Sequence, residues 1–226
     1  MFTLSSALTR PSSSYSISLF AAGLVAPLVA PLVALMDGTK SVMRLTASRR
    51  KRSGSPRRRA ILEQLGVDFR VVEPDVEELT DGDPQELVVQ NALLKLRAVP
   101  GERVLAADSM VVWDGRAHGK PADAAEAERW LRELSGRWHE VMGGIALREH
   151  GEERTDVAVT RVRFRALSDA DIARYLASGE WHDRAGGYAI QELGAMLVEG
   201  IEGDWFNVVG LPVPALLRLA PDLLHQ

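Results

Sequence analysis

The alternation of short strand-like runs with amphipathic helices, from Met43 onward, most constrains how this 226-residue chain can fold. The clearest helix is ADAAEAERWLRELSG at 122–136, where Asp123 can cap the N-terminus and Gly136 can end the last turn. Its apolar residues lie on one face: Ala127, Trp130, Leu131 and Leu134. Strands that alternate with such helices predict an α/β domain.

The segment SGSPRRRAILEQLG, residues 53–66, predicts a helix that begins with a cluster of positive charge. Ser55 can cap it and Pro56 suits its first position. Arginines in the first turn are unfavourable, because the backbone already makes that end of a helix positive. We therefore expect a negatively charged group to bind there. A further helix, SDADIARYLASGE at 168–180, has a similar capping pattern.

Several other segments have strand-like patterns. RVLAADSMVVWDG, residues 103–115, predicts two strands separated by a polar interruption at Asp108 and Ser109. Residues 138–167 predict a long hairpin with a bulge near Arg161, and DWFNVVG at 204–210 predicts another strand. A short helix is expected after Pro212.

The first 42 residues are rich in Ser, Ala, Leu, Val and Pro and carry almost no charge. Residues 19–36 have the apolarity of a signal-peptide core or a membrane span, but Pro27 and Pro31 would break a helix there. We therefore predict that residues 1–42 are an extension, disordered or due to a misassigned start, and that residues 43–226 form the folded domain. No stable membrane association is expected.

The overall charge limits the partners of this chain. A net charge of -4 and a pI near 5.8 argue against a general nucleic-acid or anionic-membrane binder, so an anion must be bound by a local cluster. The absence of cysteine excludes disulfides, a thiolate nucleophile and a cysteine-ligated zinc site. It also fits a reducing compartment, and the expected location is the cytoplasm.

Two residues have local contexts suited to chemistry. Asp108 interrupts an apolar strand and could hold a divalent cation or accept a proton from water, or it could simply cap a turn. Lys120 lies in the tight turn AHGKPAD. GRAHGKP is not a phosphate-binding P-loop, because only three residues separate its glycines and Pro121 follows the lysine. By contrast, Lys95 on its helix and Glu78 in an acidic run would ordinarily be solvated.

The order of the motifs is more specific than any single one. The chain contains, in sequence, SxSPRR, PDVEE, a helix with Lys95, AADSMVV, GKPAD, LSGRWHEV, DRAGGYAIQ and GDWFNVVGLP. This series, over residues 43–220, resembles the Maf family of nucleoside triphosphate pyrophosphatases. The resemblance implies a Maf/ITPase-like α/β fold: a twisted mixed sheet with flanking helices and two lobes around a deep cleft. It also implies that the chain can form a homodimer.

The resemblance implies hydrolysis of a nucleoside triphosphate to the monophosphate and pyrophosphate, with Mg²⁺ or Mn²⁺ as cofactor. Asp108 matches the catalytic proton acceptor, and Glu78 matches an acid near the metal, so both are metal-site candidates. The positions linked to substrate choice are Arg57, Ser109 and Gln191. The positions that line the phosphate site are Ser53, Arg58, Lys95 and Lys120.

The base preference follows from the loop that contains Gln191. Its amide offers a donor and an acceptor that match uracil or thymine, and the YxIQ form resembles the dTTP and UTP branch of the family. Modified nucleotides, or another base such as that of 7-methyl-GTP, are alternatives.

A third alternative is a catalytically weakened nucleotide-binding regulator of cell division, because RRKR at 49–52 separates the expected strand MRLTAS from the arginine helix. Gly143 and Arg184 also depart from the family's usual threonine and lysine.

Overall fold

Seven strands form one sheet in the computed structural model, which describes residues 33–36 and 55–225. The strands are β1 Val33–Met36, β2 Phe69–Val72, β3 Val104–Trp113, β4 Arg116–His118, β5 Trp138–Glu149, β6 Glu152–Phe164 and β7 Val198–Glu202. The helices are α1 Pro56–Gln64, α2 Pro84–Arg97, α3 Ala124–Leu134, α4 Asp169–Ser178, α5 Trp205–Val209 and α6 Val213–Leu219. Short 3₁₀ turns span Ala185–Gly187, Glu192–Leu197 and Leu223–His225.

The strand order is β2-β1-β3-β5-β6-β7, and β4 also pairs with β3. Every strand pair in the described part of the chain is antiparallel, so the predicted mixed sheet is wrong. Tight hairpins account for the β3–β4 and β5–β6 pairs, and longer connections that contain helices join the other neighbours. The predicted α/β fold with flanking helices is confirmed, and its division into two lobes stays a prediction.

The β5–β6 hairpin turns at His150 and Gly151, which both have positive φ, as tight hairpin turns require. Its register runs without a break from Trp138 opposite Arg163 to Glu149 opposite Glu152. The bulge predicted near Arg161 is therefore wrong for this pair. An irregularity occurs at Arg163/Phe164 instead, where β6 pairs with β7.

Two local predictions on the chemistry-bearing segments are also corrected. β3 is one continuous strand through Asp108 and Ser109, because β5 pairs with it along this stretch. The segment DWFNVVG contains helix α5 and is not a strand. Asp204 caps this helix by accepting a hydrogen bond from the Phe206 amide, and the buried Asn207 side chain donates to the Val141 carbonyl. The helix expected after Pro212 is confirmed as α6.

β1 lies between β2 and β3, within the segment predicted to be an extension. The predicted boundary at residue 43 is therefore wrong for residues 33–36, whose backbone belongs to the sheet. The expected strand MRLTAS and the RRKR segment lie outside the described residues. Within the described residues, none of the helices combines the length and apolarity needed to cross a membrane.

Helices cover both faces of the sheet. Successive residues of β3 point to opposite faces, so they pack against different helices. Leu105 and Ala107 belong to a core with α1 and α6, whereas Val104 and Ala106 pack with α2. A third cluster joins α3 and α4 to the far end of the sheet. The predicted caps hold: Ser55, Asp123 and Ser168 begin α1, α3 and α4, and Gly179 ends α4 in the left-handed conformation.

Candidate active site

A gap in strand pairing along β3 opens the candidate site. β1 pairs with β3 only as far as Ala106, and β4 pairs only from Val111 onward. Within the described part of the chain, residues 107–110 therefore have no strand on this edge, although β5 pairs with the other edge. A cavity of about 280 Å³ lies here. Seven of the predicted site residues line it: Arg57, Arg58, Glu78, Lys95, Asp108, Ser109 and Lys120.

The alternation of β3 places its two polar residues on different faces of the sheet. Asp108 follows the parity of Val104 and Ala106, so it faces α2. Ser109 follows Leu105 and Ala107, so it faces α1. Both line the cavity at the edge where no described strand pairs with β3. The cavity can therefore take groups from both faces of the sheet at once.

Lys95 of α2 is buried between two carboxylates. Its Nζ lies 2.6 Å from Asp108 Oδ1 and 2.8 Å from Glu78 Oε1, and the residue is only 1% exposed. The solvated environment that its helix position suggested is therefore wrong. A buried ammonium must be paired to offset its lost hydration, and these carboxylates supply the pairing. The cluster carries one net negative charge beside the cationic groups of the cavity.

The ionisation of Glu78 is set by two opposed effects. Burial alone would raise the pKa of its carboxyl, but the ion pair and hydrogen bond with Lys95 outweigh this, with help from Lys120 and Arg58. The pKa is lowered overall, so Glu78 is a carboxylate at neutral pH. The free oxygen lone pairs of Glu78 and Asp108 are suited to a hard cation.

Arg58 joins three separate segments through its guanidinium. Nη1 donates to the Ala107 carbonyl at 2.6 Å, Nε to the Gly210 carbonyl at 2.6 Å and Nη2 to Ser109 Oγ at 2.9 Å. The Ala107 bond occupies a carbonyl in the unpaired stretch of β3. Arg58 therefore shapes the cavity, and its remaining N–H groups are available to a ligand.

Arg57 has a different environment although it is the neighbouring residue. Its side chain makes no hydrogen bond or ion pair within the residues that the structure describes, and its buried Nε has no partner there. Burial, followed by the charges of Arg184 and Arg58, lowers the pKa of Arg57 to about 9. It stays protonated at pH 7 and lines the cavity as a donor without an acceptor among the described residues.

The start of α1 adds backbone donors to this positive wall. Ser55 lines the cavity and accepts from the Arg58 amide at 3.4 Å, as an N-cap residue does. First-turn amides and the helix dipole favour phosphate. Lys120 completes the ring of cations from the loop after β4, where its Nζ lies 3.7 Å from Asp183.

One described site residue, Gln191, does not line the cavity. Gln191 is exposed, at the start of the 3₁₀ turn Glu192–Leu197. Ser53 lies outside the described residues. The sequence reasoning missed Tyr188, which lines the cavity and whose hydroxyl lies 2.7 Å from His139 Nε2. The signal for Tyr188 was the glycine pair before it, since Gly186 and Gly187 both have positive φ and fold this loop against β3.

The donor set fits a divalent cation that is only partly bound by protein. Within residues 33–36 and 55–225, no group of three or more His, Asp or Glu side chains could hold a metal ion. Glu78 and Asp108 are two carboxylates on one side of the cavity. Mg²⁺ commonly binds one or two carboxylates together with substrate phosphates and water.

The fold and the cavity define a site for a polyanion next to a buried carboxylate. The family model described as "Maf-like protein" matches residues 52–223, and the chain belongs to this family. A relative from Gloeobacter violaceus is 50% identical over 176 residues, which is 75% of this chain and 93% of the relative. Relatives from Dictyoglomus thermophilum and Symbiobacterium thermophilum are 46% and 48% identical, over 74% of this chain and 91% and 89% of their own lengths. All three are named dTTP/UTP pyrophosphatase.

Proposed function

We propose that this chain is a nucleoside triphosphate pyrophosphatase that hydrolyses dTTP and UTP, and modified forms of them, to the monophosphate and pyrophosphate. The observation that carries the proposal is the convergence of Asp108, Lys95 and Glu78 with Arg57 and Lys120 on one cavity. The names of the relatives support the substrate.

The triphosphate binds along the positive wall of the cavity. The amides at the start of α1, with Arg57 and the remaining N–H groups of Arg58, hold phosphate oxygens. Lys120 approaches from the opposite loop, and the family resemblance assigns Ser53 to the same phosphate site. Pyrophosphate gains negative charge as it leaves, so these cations stabilise the transition state more than the bound substrate.

Asp108 is the proposed general base. Its Oδ1 accepts from Lys95, and its Oδ2 accepts no hydrogen bond from the described residues, so Oδ2 is available to orient a water molecule. The water attacks the α-phosphorus, its proton passes to the carboxylate, and the bond to the bridging oxygen breaks. Mg²⁺ or Mn²⁺ held by Glu78 and Asp108 would neutralise charge on the phosphates.

Base recognition is assigned to Arg57, Ser109 and Gln191. The loop before Gln191 contributes Asp183, Ala185 and Tyr188 to the cavity wall, so a base held there would lie near the amide. A side chain with adjacent donor and acceptor groups pairs with the O4 and N3–H of uracil or thymine.

We place the enzyme in the cytoplasm, where nucleotides are used, and expect it to form a homodimer without a nucleic-acid partner. The net charge of -4 supports the last point, because nonspecific nucleic-acid binding needs excess positive charge. Light scattering on purified protein tests the dimer.

The decisive experiment measures pyrophosphate release from each nucleoside triphosphate, with Mg²⁺ or Mn²⁺ and with chelator. We expect release from dTTP and UTP that depends on metal. Release from 7-methyl-GTP in place of the pyrimidines would assign the same chemistry to another base. Binding of nucleotides without release from any of them would reject the enzyme and favour a nucleotide-binding regulator.

A further inference from the structure

Glu78 lies in a loop between β2 and α2 that contains no helix or strand. Every residue from 77 to 83 is exposed, and even the apolar Leu79 is 49% exposed. Ordering such a segment costs conformational entropy, and burial of apolar side chains does not offset that cost here. Polar contacts must therefore hold this part of the loop against the rest of the protein.

The side chain of Asn91 on α2 supplies such contacts through two hydrogen bonds. Its Oδ1 accepts from the Leu79 amide at 2.8 Å, and its Nδ2 donates to the Leu79 carbonyl at 3.0 Å. One amide side chain thus binds both backbone groups of a single residue, as a residue of a neighbouring antiparallel strand does. Asn91 is only 2% exposed, so the packing of α2 fixes where this amide lies. We call these two bonds the Asn91 clamp.

The Asn91 clamp acts on the residue next to Glu78. Asn91 and Lys95 are four residues apart, so they lie on the same face of α2. Asn91 binds Leu79, and Lys95 pairs at 2.8 Å with the residue before it, Glu78. The loop therefore follows this face of the helix, and the two contacts together place Glu78 in the lining of the cavity.

The ion pair with Lys95 is by itself a weak anchor for Glu78. The Glu78 side chain is 47% exposed, so water and salt screen its attraction to the ammonium. A divalent cation that binds Glu78 would also compete with Lys95 for the same carboxylate. The hydrogen bonds of the Asn91 clamp involve neutral groups and do not depend on that charge. They can hold the loop in place while a cation is bound.

We infer that Asn91 is a positioning residue, which holds Glu78 in place to bind the divalent cation by fixing the backbone of Leu79. This inference rests on the proposed function and adds to it a residue that does not line the cavity. Because Asn91 acts through Leu79 and Glu78, its loss should affect binding that needs the cation and spare binding that does not.

Calorimetric titration of the full chain with inorganic pyrophosphate, with Mg²⁺ and with chelator, tests the inference without requiring turnover. The parent should bind pyrophosphate more tightly with Mg²⁺. Asn91→Leu keeps a similar side-chain volume but removes both hydrogen bonds. It should weaken binding about tenfold with Mg²⁺ and should not weaken it with chelator. Gln90→Leu is the matched control and should bind as the parent does, because it replaces an exposed amide on the same helix.

A second comparison tests whether Asn91 acts through Glu78. In a Glu78→Gln protein, adding Asn91→Leu should cause no further loss of binding with Mg²⁺, because the carboxylate that the clamp positions is already gone. If the losses from the two substitutions add in full, Asn91 acts by another route and the inference is wrong.

The remaining outcomes separate the inference from the proposed activity. Equal weakening with Mg²⁺ and with chelator would show that Asn91 supports the whole site, and would overturn the inference. Unchanged binding in Asn91→Leu, or a parent that binds equally well with and without Mg²⁺, would also reject it. If Asn91→Leu does not fold, Asn91→Gln carries the same comparison, because it displaces the amide by one methylene. The expected pattern in a protein that releases no pyrophosphate from nucleotides would support the inference and reject the proposed activity.

Discussion

Among single residues, Lys95 shows most clearly how burial decides a role. Its ammonium pairs with Asp108 and Glu78, so removing either acid leaves a buried charge with one partner fewer. Truncating one member of a buried charged pair is usually costly, because the desolvation penalty of the other remains. The three side chains are therefore best treated as one unit, whose members cannot be assigned separate energies.

Asp108→Asn should lower kcat by about 10²-fold to 10⁴-fold, the usual contribution of a general base. The amide keeps the shape of the side chain but cannot accept the proton from water. Steady-state pyrophosphate release measures the effect, and a thermal melt checks that the variant is folded.

The control for that variant is Asp114→Asn, in the exposed turn after the same strand. Asp114 has positive φ, which asparagine tolerates, so both activity and stability should match the parent. Full activity in Asp108→Asn would remove this carboxylate from the mechanism.

His139 makes stability depend on pH. Burial lowers the pKa of its imidazole from 6.5 to about 4, so the unfolded chain binds the proton more readily than the folded chain. The neutral imidazole therefore contributes to the free energy of unfolding above about pH 6.5, and this contribution is lost as the pH falls towards 4. In full it amounts to about 3 kcal/mol. Denaturant unfolding at several pH values should show a decline. In His139→Phe, the free energy of unfolding should decline less steeply over the upper part of this pH range. The same slope in both proteins would show that His139 does not cause the decline.

At the level of elements, the approach of α2 to β5 depends on Gly144. A Cβ at this position would lie 2.4 Å from the Val88 carbonyl oxygen. Because α2 carries Lys95, any displacement of the helix also moves the ammonium away from Asp108.

Gly144→Ala should therefore lower the free energy of unfolding by about 1–3 kcal/mol and reduce kcat in the same variant. Gly200→Ala on β7 is the matched control, since no described residue beyond its chain neighbours comes within 4 Å of a Cβ there and its φ is not positive. Denaturant unfolding and pyrophosphate release measure both variants. Equal effects of the two substitutions would show that the contact with Val88 is unimportant.

The sequence predicted elements well where local hydrogen bonds define their ends. Capping side chains marked the starts of α1, α3 and α4, because such bonds involve residues only two or three apart. The α5 segment was mistaken for a strand, since its helix is fixed by Asn207 contacting β5 and β6, far away in sequence. The antiparallel sheet likewise depends on pairings that no single segment encodes.

For the whole molecule, seven residues that the family resemblance pointed to do line one cavity. The sequence does not predict which contacts these residues make with one another. The burial of Lys95 between two acids depends on the packing of α2 against the sheet. The predicted start of the domain failed for β1, because four apolar residues have no distinctive pattern outside the sheet.

The position of β1 between two partners gives a test at this scale. Ala34→Pro removes a backbone donor in a strand paired on both sides, and should lower the melting temperature. Deletion of residues 1–30, which leaves the strand in place, should keep the parent melting temperature. An Ala34→Pro protein that melts with the parent would show that β1 does not support the sheet.

Among the described residues, the edge of β3 at 107–110 has no strand partner, and this limits how rigid the protein can become. Lengthening β4 by a few residues towards Asp108 would complete the ladder and add backbone hydrogen bonds. The same change would cover the edge at which Asp108, Ser109 and Met110 meet the cavity. Sheet stability and access to the pocket therefore depend on the same few positions. A mutation there that stabilises the sheet would reduce access to the pocket.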